Sequence, residues 1–568
     1  MDITIHDRLN ALQQISQRKF IEILDIIPGT KDLIIEQKLI KILDSFIGVT
    51  TLKRYEVDKI YKLEQGLKLS NSQRIFLVSS NLISCKRVLD QIQSEISHVT
   101  SHVQVCHHLL VVPFIPTVLH TLIEEEGLNG LITIYPLSYE LIRLDGNVLS
   151  FENSIFVDLY YYKDGTLLPA MARNLWSLYL VLGSPKLILS FGKYSQQILR
   201  FIESIKQSVK SCKIENEIGA FILMDRNYDK VTTLLTPVTY SSLLNEVFDI
   251  NVGVIYTGKA QTKLDPDKDQ IYGEVRDIPC SNVFPILHEK TKSLKSEQEA
   301  IETMKLAEMG QYITTKLQKS RDMTQQLVFH ISACRTIVDT LGSEFQTLQS
   351  IEKLILERKG RKECLNYIER NIDENPLKCL RLLCLLSICN DGIVSSDLQS
   401  IQKLHLHAHG YKNIPLFYKL QNVGLLKIKT ESGINRLTDQ SNEWTSNVQR
   451  LKLLPNNTKH IESKGSTCPS YVFHNAYIPL IAQILNIVVN QDKEGKNFDE
   501  ILKLPDCVIN GQRGILSPKI IVICIIGGIS NAEIAACRFI EKSMGIKLVL
   551  VSDSIITGNK LIEKIQEI

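Results

Sequence analysis

Residues 220–240 read AFILMDRNYDKVTTLLTPVTY. The apolar run at the start predicts a buried strand, and three charged residues, Asp225, Arg226 and Asp229, follow at its carboxyl end. In open α/β sheets this end of a strand is where functional carboxylates gather, so a catalytic site is one interpretation. The other is a structural corner in which the three charged side chains pair with one another and fix how the chain leaves the sheet. The corner is favoured because no histidine, nucleophilic cysteine or phosphate loop can be placed beside it.

Short apolar runs alternate with helix-length segments on both sides of this stretch, which indicates parallel βαβ units. The predicted strands are Arg74–Ser79, His108–Val112, Leu131–Tyr135, Leu187–Leu189, Lys519–Ile526 and Lys547–Ser552, with a helix at Asn531–Met544. No proline lies between Pro285 and Pro376, so long helices are predicted there. We expect the last strands to rejoin an earlier sheet, which would make that domain discontinuous.

Composition limits the function classes. The chain has 568 residues, too many for one core of ordinary size, and its 44% hydrophobic and 22% charged residues are normal for globular proteins. A net charge of +3 spread along the sequence favours neither a nucleic-acid binder nor a polybasic membrane protein. Thirteen cysteines without a CxxC pair indicate a reducing, cytoplasmic compartment. No signal sequence or spanning apolar run is apparent, so any membrane role is expected to be peripheral.

Three motifs resemble catalytic or ligand sites without completing them. Residues 253–260 (GVIYTGKA) match a phosphate loop, but Ala260 replaces the hydroxyl residue that would hold magnesium. Residues 526–530 (IGGIS) fit a strand-to-helix turn in which Ser530 and Glu533 form a capping box. The alternating histidines of residues 405–409 fit a solvated helix end better than a zinc site. No catalytic, cofactor or metal residue is therefore predicted, although a nucleotide-dependent α/β enzyme stays the alternative of another class.

Two further features leave alternatives open. The apolar positions Met309, Ile313 and Leu317 recur at helical spacing, and so do Leu327, Ile331, Cys334 and Val338. Each set marks one face of a helix, and that face can be core or an exposed binding surface. Periodicity alone does not separate the two.

The stretch that begins at Asp225 resembles the pattern D-R-x-x-D-x-x-T-P-L-x-x-x-x-T-Y-x-x-L of the SM (Sec/Munc) family. Its structural positions here are Asp225, Arg226, Asp229, Thr232 and Tyr240. Thr232-Thr233 replaces the Thr-Pro of the family, which puts the local turn in doubt. Blocks at residues 28–33, 52–62, 376–387 and 526–539 are similar to the vacuolar protein sorting 33 group, and most similar to its B type.

The resemblance implies a fold of the α/β plus α class, a three-domain SM-type arch with two Rossmann-like α/β domains and a large, mainly helical domain. The implied boundaries are residues 1–135 for domain 1, residues 136–245 and 486–568 for the two segments of domain 2, and residues 246–485 for domain 3.

The function that the resemblance implies is non-catalytic. The chain would bind syntaxin-type SNARE proteins through a helical hairpin in domain 3 that carries Met309, Ile313 and Leu317. It would also dock a VIPAR/spermatogenesis-defective-type or other Vps-C-type subunit, in the region of Tyr471, Phe473 and Tyr477. It would regulate vesicle docking and fusion, and its partners would hold it on late endosomes, lysosomes or recycling endosomes. An A-type subunit of the HOPS tether is the alternative within the family, and no nucleic-acid partner is implied.

Overall fold

The computed structural model describes residues 5–64, 66–67, 69–98, 105–209, 217–257, 261–302, 317–429, 443–455, 468–490, 495–511, 514 and 519–568. Within these ranges the helices and strands form two large sheets, one small sheet and a helical region. No helix in the described ranges is long and apolar enough to cross a bilayer.

The first sheet has five parallel strands in the order β2-β1-β3-β4-β5. Apolar side chains of its inner strands alternate between two cores: Ile75 and Leu77 point to one face, Phe76 and Val78 to the other. The elements are α1 Ile5–Ile26, β1 Lys31–Ile35, α2 Gln37–Phe46, α3 Val49–Arg54, β2 Val57–Lys62, β3 Gln73–Ser79, α4 Leu82–His98, β4 Cys106–Val112, α5 Thr117–Glu125 and β5 Ile132–Pro136.

The second sheet has seven strands in the order β13-β8-β9-β14-β15-β7-β6, with antiparallel strands at both edges. Its elements are β6 Ile142–Asp145, β7 Val148–Ser150, α6 Leu168–Leu182, β8 Pro185–Phe191, α7 Lys193–Ser208, β9 Ile218–Asp225, β13 Cys507–Gly511, β14 Ile520–Ile526, α21 Asn531–Met544, β15 Lys547–Ser552 and α22 Gly558–Glu567. Because β14 lies between β9 and β15, the prediction that the last strands rejoin an earlier sheet is confirmed. The domain boundaries themselves stay predictions.

The segment between the two parts of this sheet is mainly helical, with a small antiparallel sheet near its start. Its elements are α8 Val231–Leu234, α9 Tyr240–Val247, β10 Ile250–Asn251, β11 Val254–Tyr256, β12 Gln261–Lys263, α10 Gln270–Val275, α11 Val283–Glu302, α12 Leu317–Leu341, α13 Phe345–Leu356, α14 Arg361–Asn371, α15 Pro376–Cys389, α16 Ser395–His409, α17 Ile414–Asn422, α18 Glu443–Leu451, α19 Leu480–Val489 and α20 Gly495–Leu502. The nearly all-apolar α15 and α19 share one continuous core with the seven-stranded sheet.

The structure confirms the predicted strands and the helix Asn531–Met544. It also contains strands that the apolar runs did not reveal. β2 reads VDKIYK and is mostly exposed, while β13 lies at a sheet edge with a half-exposed pattern. Edge strands bury little surface, so their sequences need not be apolar.

Candidate functional site

Asp225 closes the turn between β8 and α7. Its carboxylate accepts hydrogen bonds from the amides of Tyr194 (2.9 Å) and Ser195 (2.8 Å) and from the Ser195 hydroxyl (2.5 Å). Gly192 makes room for it, since a Cβ there would lie 2.3 Å from the carboxylate and the residue has φ +108°. Burial raises the pKa of Asp225 to about 6. The carboxylate thus fills the anion position at the start of α7.

Arg226 is fully buried and pairs with Glu533 on α21. The pair is bidentate, with Nη1–Oε2 and Nη2–Oε1 distances of 2.9 and 2.7 Å, and Nη1 also donates to the carbonyl of Gly528 at 3.1 Å. The predicted pairing of Arg226 with Asp225 and Asp229 is therefore wrong in its partners. The predicted capping box of Ser530 and Glu533 is confirmed. That prediction had already placed the Glu533 carboxylate at the turn between β14 and α21.

Asp229 joins two helix starts that are distant in sequence. It accepts hydrogen bonds from the amide of Thr232 (2.9 Å) and from its hydroxyl, at the start of α8. It also accepts from the amide of Leu480 (3.0 Å), at the start of α19, and from the Tyr477 hydroxyl (3.4 Å). A single carboxylate can accept this many bonds because each of its oxygens has two lone pairs. Asp229 is thus a cap shared by two helices.

The turn forms without the proline of the family pattern. Residues Val231–Leu234 make one helical turn, and the Thr233 hydroxyl donates to the Lys230 carbonyl at 2.7 Å. Beyond the turn, Thr236 donates through its amide (3.0 Å) and hydroxyl (2.6 Å) to the buried Glu352 of α13. Burial raises the pKa of Glu352 to about 7.

The end of the stretch reaches two further helices. The guanidinium of Arg381, on α15, donates to the carbonyls of Leu234 (3.2 Å) and Leu235 (3.1 Å). The Tyr240 hydroxyl contacts Nδ1 of His330, on α12, at 2.8 Å. Residues 225–240, which we call the junction, therefore connect the seven-stranded sheet to helices throughout the middle of the chain.

A second strand-end carboxylate repeats the arrangement of Asp225. Asp553, after β15, accepts hydrogen bonds from the amides of Gly527 (2.6 Å), Gly528 (2.8 Å) and Ile155 (3.2 Å). In nucleotide-binding sheets the amides of such glycine turns hold a phosphate. Here an internal carboxylate occupies them, so both turns serve the fold instead of a nucleotide.

The structure also describes parts of the two other motifs, the phosphate-loop match at residues 253–260 and the histidines at residues 405–409. Gly253 lies in the hairpin between β10 and β11, not between a strand and a helix, while residues 258–260 lie outside the described part of the chain. The prediction of a solvated helix end is wrong for His405, which is buried against Phe417 with ring centroids 5.6 Å apart. Burial lowers the pKa of His405 to about 4. The described residues include no group of three or more potential metal ligands.

The helix α12 has two different faces. Leu327, His330, Cys334 and Ile337 are buried against α9, α10 and α11. Ile331 and Val338 are exposed, so the predicted stripe from Leu327 to Val338 is divided between core and surface. Of the predicted hairpin residues, Met309 and Ile313 lie outside the described residues, and Leu317 is 51% exposed.

The exposed apolar residues of α12 share one side of the helix. Leu317, Val328, Ile331 and Val338 are separated by 11, 3 and 7 residues, each close to a whole number of helical turns. Val328 and Val338 are 64% and 65% exposed. We call these four residues the outer face of α12.

The residues predicted to dock a partner are inside the chain. Tyr471, Phe473 and Tyr477 are all buried, and the Tyr471 hydroxyl donates to the carbonyl of Asp277 at 2.9 Å. Tyr471 and Phe473 line a cleft of about 1570 Å³ beside the end of α12, while Tyr477 binds Asp229. Core and interface aromatics look alike in sequence, which is why the pattern did not reveal their burial. Their docking role stays a prediction.

An exposed apolar surface on α16 and α17 was not predicted from the sequence. Leu404 on α16, Tyr411 between the helices, and Ile414 and Tyr418 on α17 are 39 to 68% exposed. We call them the α16–α17 surface. The sequence carried a signal for it, because residues 398–430 contain five lysines and three histidines but no acidic residue. Aromatic side chains exposed in a basic segment are typical of interaction sites.

Comparisons with known proteins agree with this architecture. The Sec1 family profile matches residues 31–564. Vacuolar protein sorting-associated protein 33B of Rattus norvegicus is 26% identical over 605 residues, covering 98% of this chain and 97% of its own. The SM protein Vps45, solved in complex with the Qa SNARE Tlg2, superposes with TM-score 0.60 at 13% identity, covering 98% of both chains. The Unc18–syntaxin 1 complex from Monosiga brevicollis gives 0.62 at 14%, covering 98% of this chain and 99% of that chain. The fold is the SM arch, and the chain belongs to the Sec1 family of non-catalytic vesicle-trafficking regulators.

Proposed function

We propose that the chain binds syntaxin-type SNARE helices and, with a Vps-C-type subunit, regulates vesicle docking and fusion in endosomal and lysosomal transport. The outer face of α12 carries the proposal. It presents four apolar side chains at helical spacing with at least a third of each exposed. A second amphipathic helix recognises such a row through its own apolar stripe. The fold is shared with SM proteins that were solved bound to Qa SNAREs.

The arrangement of α12 suits a rigid template. Its buried face is fixed by the contact of Tyr240 with His330, and His330 also contacts Asp269 through Nε2 at 2.9 Å. Both ring nitrogens of a completely buried histidine are thereby satisfied. A helix held from behind in this way can present its outer face without reorganising, which lowers the entropic cost of binding.

The test is binding of a syntaxin-type SNARE to single variants of α12. Val328→Asp and Val338→Asp should each weaken binding by about tenfold or more, since each would place a charge in an apolar contact. Thr336→Asp is the matched control, because Thr336 is exposed on the same helix but outside the row. Unchanged binding in both valine variants, with the fold intact by circular dichroism, would exclude this face.

For the partner subunit we propose the α16–α17 surface, as an exposed alternative to the predicted region of Tyr471, Phe473 and Tyr477. Tyr411 and Ile414 lie next to Lys412 in the segment without acidic residues, so an acidic, apolar face on the partner would be complementary. Docking there would leave α12 free for a SNARE and would hold the chain on late endosomes, lysosomes or recycling endosomes through the partner.

Pull-down with the VIPAR-type subunit tests this surface. Tyr411→Asp and Ile414→Asp should abolish capture, whereas Ile83→Asp, at a similarly exposed apolar residue on α4, should not. Competition between the B-type partner and the HOPS subunit would separate the B type from the A type. Capture that survives both substitutions would place the partner elsewhere.

A further inference from the structure

A smaller pocket lies outside the carboxyl ends of β7, β14 and β15. It has a volume of about 300 Å³, at the lower end of the range for small-molecule sites. The first residues of α21, the hairpin between β10 and β11, and one side of α22 enclose it. The polar side chains that line it include Glu152, Asn245, Asp249, Lys560 and Lys564. The SNARE and partner surfaces proposed above do not include it.

Asn245 is one of the buried polar residues of this pocket. It is 4% exposed, and among the described residues no atom accepts a hydrogen bond from its Nδ2. Its amide orientation is determined, because Oδ1 accepts from Nζ of Lys560 at 3.2 Å. The NH2 group is therefore a donor without an acceptor on a residue that lines the cavity. Buried donors of this kind are rare and point to a water or a ligand.

Two lysines add positive charge on the α22 side. Lys560 and Lys564 are one helical turn apart, so both ammonium groups reach the same pocket. Burial lowers the pKa of both side chains. Within the described part of the chain, Lys564 makes no hydrogen bond or ion pair, although Asp553 and Glu152 lie close enough to act on its charge. Both ammonium groups would be stabilised by an anion between them.

Carboxylates line the same pocket and act on the charges of both lysines. Burial raises the pKa of Glu152, and Asp249 is exposed at the rim. These carboxylates would repel a bare inorganic anion, whereas a ligand that also carries hydroxyl groups would donate hydrogen bonds to them.

We propose that the pocket binds the phosphate monoester of a small polyol. The phosphate would lie between Lys560, Lys564 and Nδ2 of Asn245, and the polyol hydroxyls would face Glu152 and Asp249. Phosphate oxygens are strong acceptors and suit two lysines and an amide donor. The binding is reversible and involves no bond making.

The experiment is calorimetric titration of the full chain with glycerol 3-phosphate, inorganic phosphate and sulfate, with thermal unfolding as a second readout. We expect glycerol 3-phosphate to bind at least about tenfold tighter than either inorganic anion and to raise the Tm with concentration. Equal affinity for all three anions, or no binding of the ester at millimolar concentration, overturns the proposal.

Two variants and a control locate the site. Asn245→Asp removes the donor but keeps an acceptor for Lys560, so the free protein should stay folded with an unchanged or higher Tm while ester binding falls about tenfold or more. Lys564→Met should weaken binding by a similar factor. Lys547→Met is the matched control, because Lys547 is exposed at the opposite end of β15. Ester binding that is unchanged in Asn245→Asp and Lys564→Met overturns the assignment to this pocket.

Discussion

The junction and the outer face of α12 have opposite relations between polarity and burial. In the junction, Asp225, Arg226 and Asp229 are inside the protein, whereas on α12 the side chains of Val328 and Val338 are largely in solvent. The charged groups are buried because each satisfies amides, carbonyls or an opposite charge at the start of a helix. The valines are exposed because no described element packs on their side. Polar groups without hydrogen-bond partners and apolar groups without packing partners indicate a functional site better than residue type does.

The largest effect is expected at the ion pair of the junction. Arg226→Met would leave Glu533 buried and unpaired, which costs about 3 to 5 kcal/mol. Urea denaturation followed by circular dichroism would measure the loss, and at the upper end the variant would not accumulate as folded protein.

The double variant Arg226→Met/Glu533→Met is its control. Replacing both charges removes the uncompensated carboxylate, so much of the stability should return, although the capping box at Ser530 is lost. A double variant less stable than Arg226→Met would show that Glu533 acts mainly as a cap and not as the partner of Arg226.

Two neighbouring residues on α12 separate core from binding surface. Leu327 is 4% exposed, so Leu327→Ala should cost about 2 to 4 kcal/mol by leaving a cavity. Val328→Ala should change the free energy of unfolding by less than about 0.5 kcal/mol, since the side chain is already in water. For SNARE binding the order should be reversed. Relative to the stability that each variant loses, Val328→Ala should weaken SNARE binding more than Leu327→Ala does. If Leu327→Ala and Val328→Ala lowered the stability equally, the Val328 side chain would be packed against other residues in solution.

The buried carboxylate of the junction predicts a pH dependence. The pKa of Asp225 is about 6 in the folded chain and roughly 4 when unfolded, so between these values the folded state binds more protons. The contribution of this group to stability is therefore largest at low pH and decreases as pH rises from 4 to 6, by roughly 3 kcal/mol in total. Asp225→Asn does not titrate. The stability of the wild type relative to this variant should increase as pH falls from 7 to 4, and a constant difference would contradict the assignment.

The sequence predicted those parts of the fold that depend on local pattern. The runs at Arg74–Ser79 and Lys547–Ser552 are strands because an apolar run between helices has few alternatives, and the spacing of Ser530 and Glu533 defines a cap within one turn. Long-range partners were not predictable in this way. Nothing in the sequence near Arg226 indicates that its carboxylate partner, Glu533, lies 307 residues away. The family resemblance supplied the arch. The burial of Tyr471, Phe473 and Tyr477 was not predictable, because aromatic residues of a core and of an interface have the same sequence pattern.

The smallest contrast between two matched variants is expected at the two threonines that replace the Thr-Pro pair of the family. Thr232 donates to the carboxylate of Asp229, so Thr232→Val, which keeps the shape, should cost about 1.5 to 3 kcal/mol. Thr233 donates only to the neutral carbonyl of Lys230, and Thr233→Val should cost about 1 kcal/mol or less. Both side chains are buried, so solvent does not replace either bond. Thermal unfolding of the two variants measures the difference. If Thr233→Val were the more costly change, the hydroxyl of Thr233, and not the Asp229 cap, would hold the turn that a proline fixes in the family.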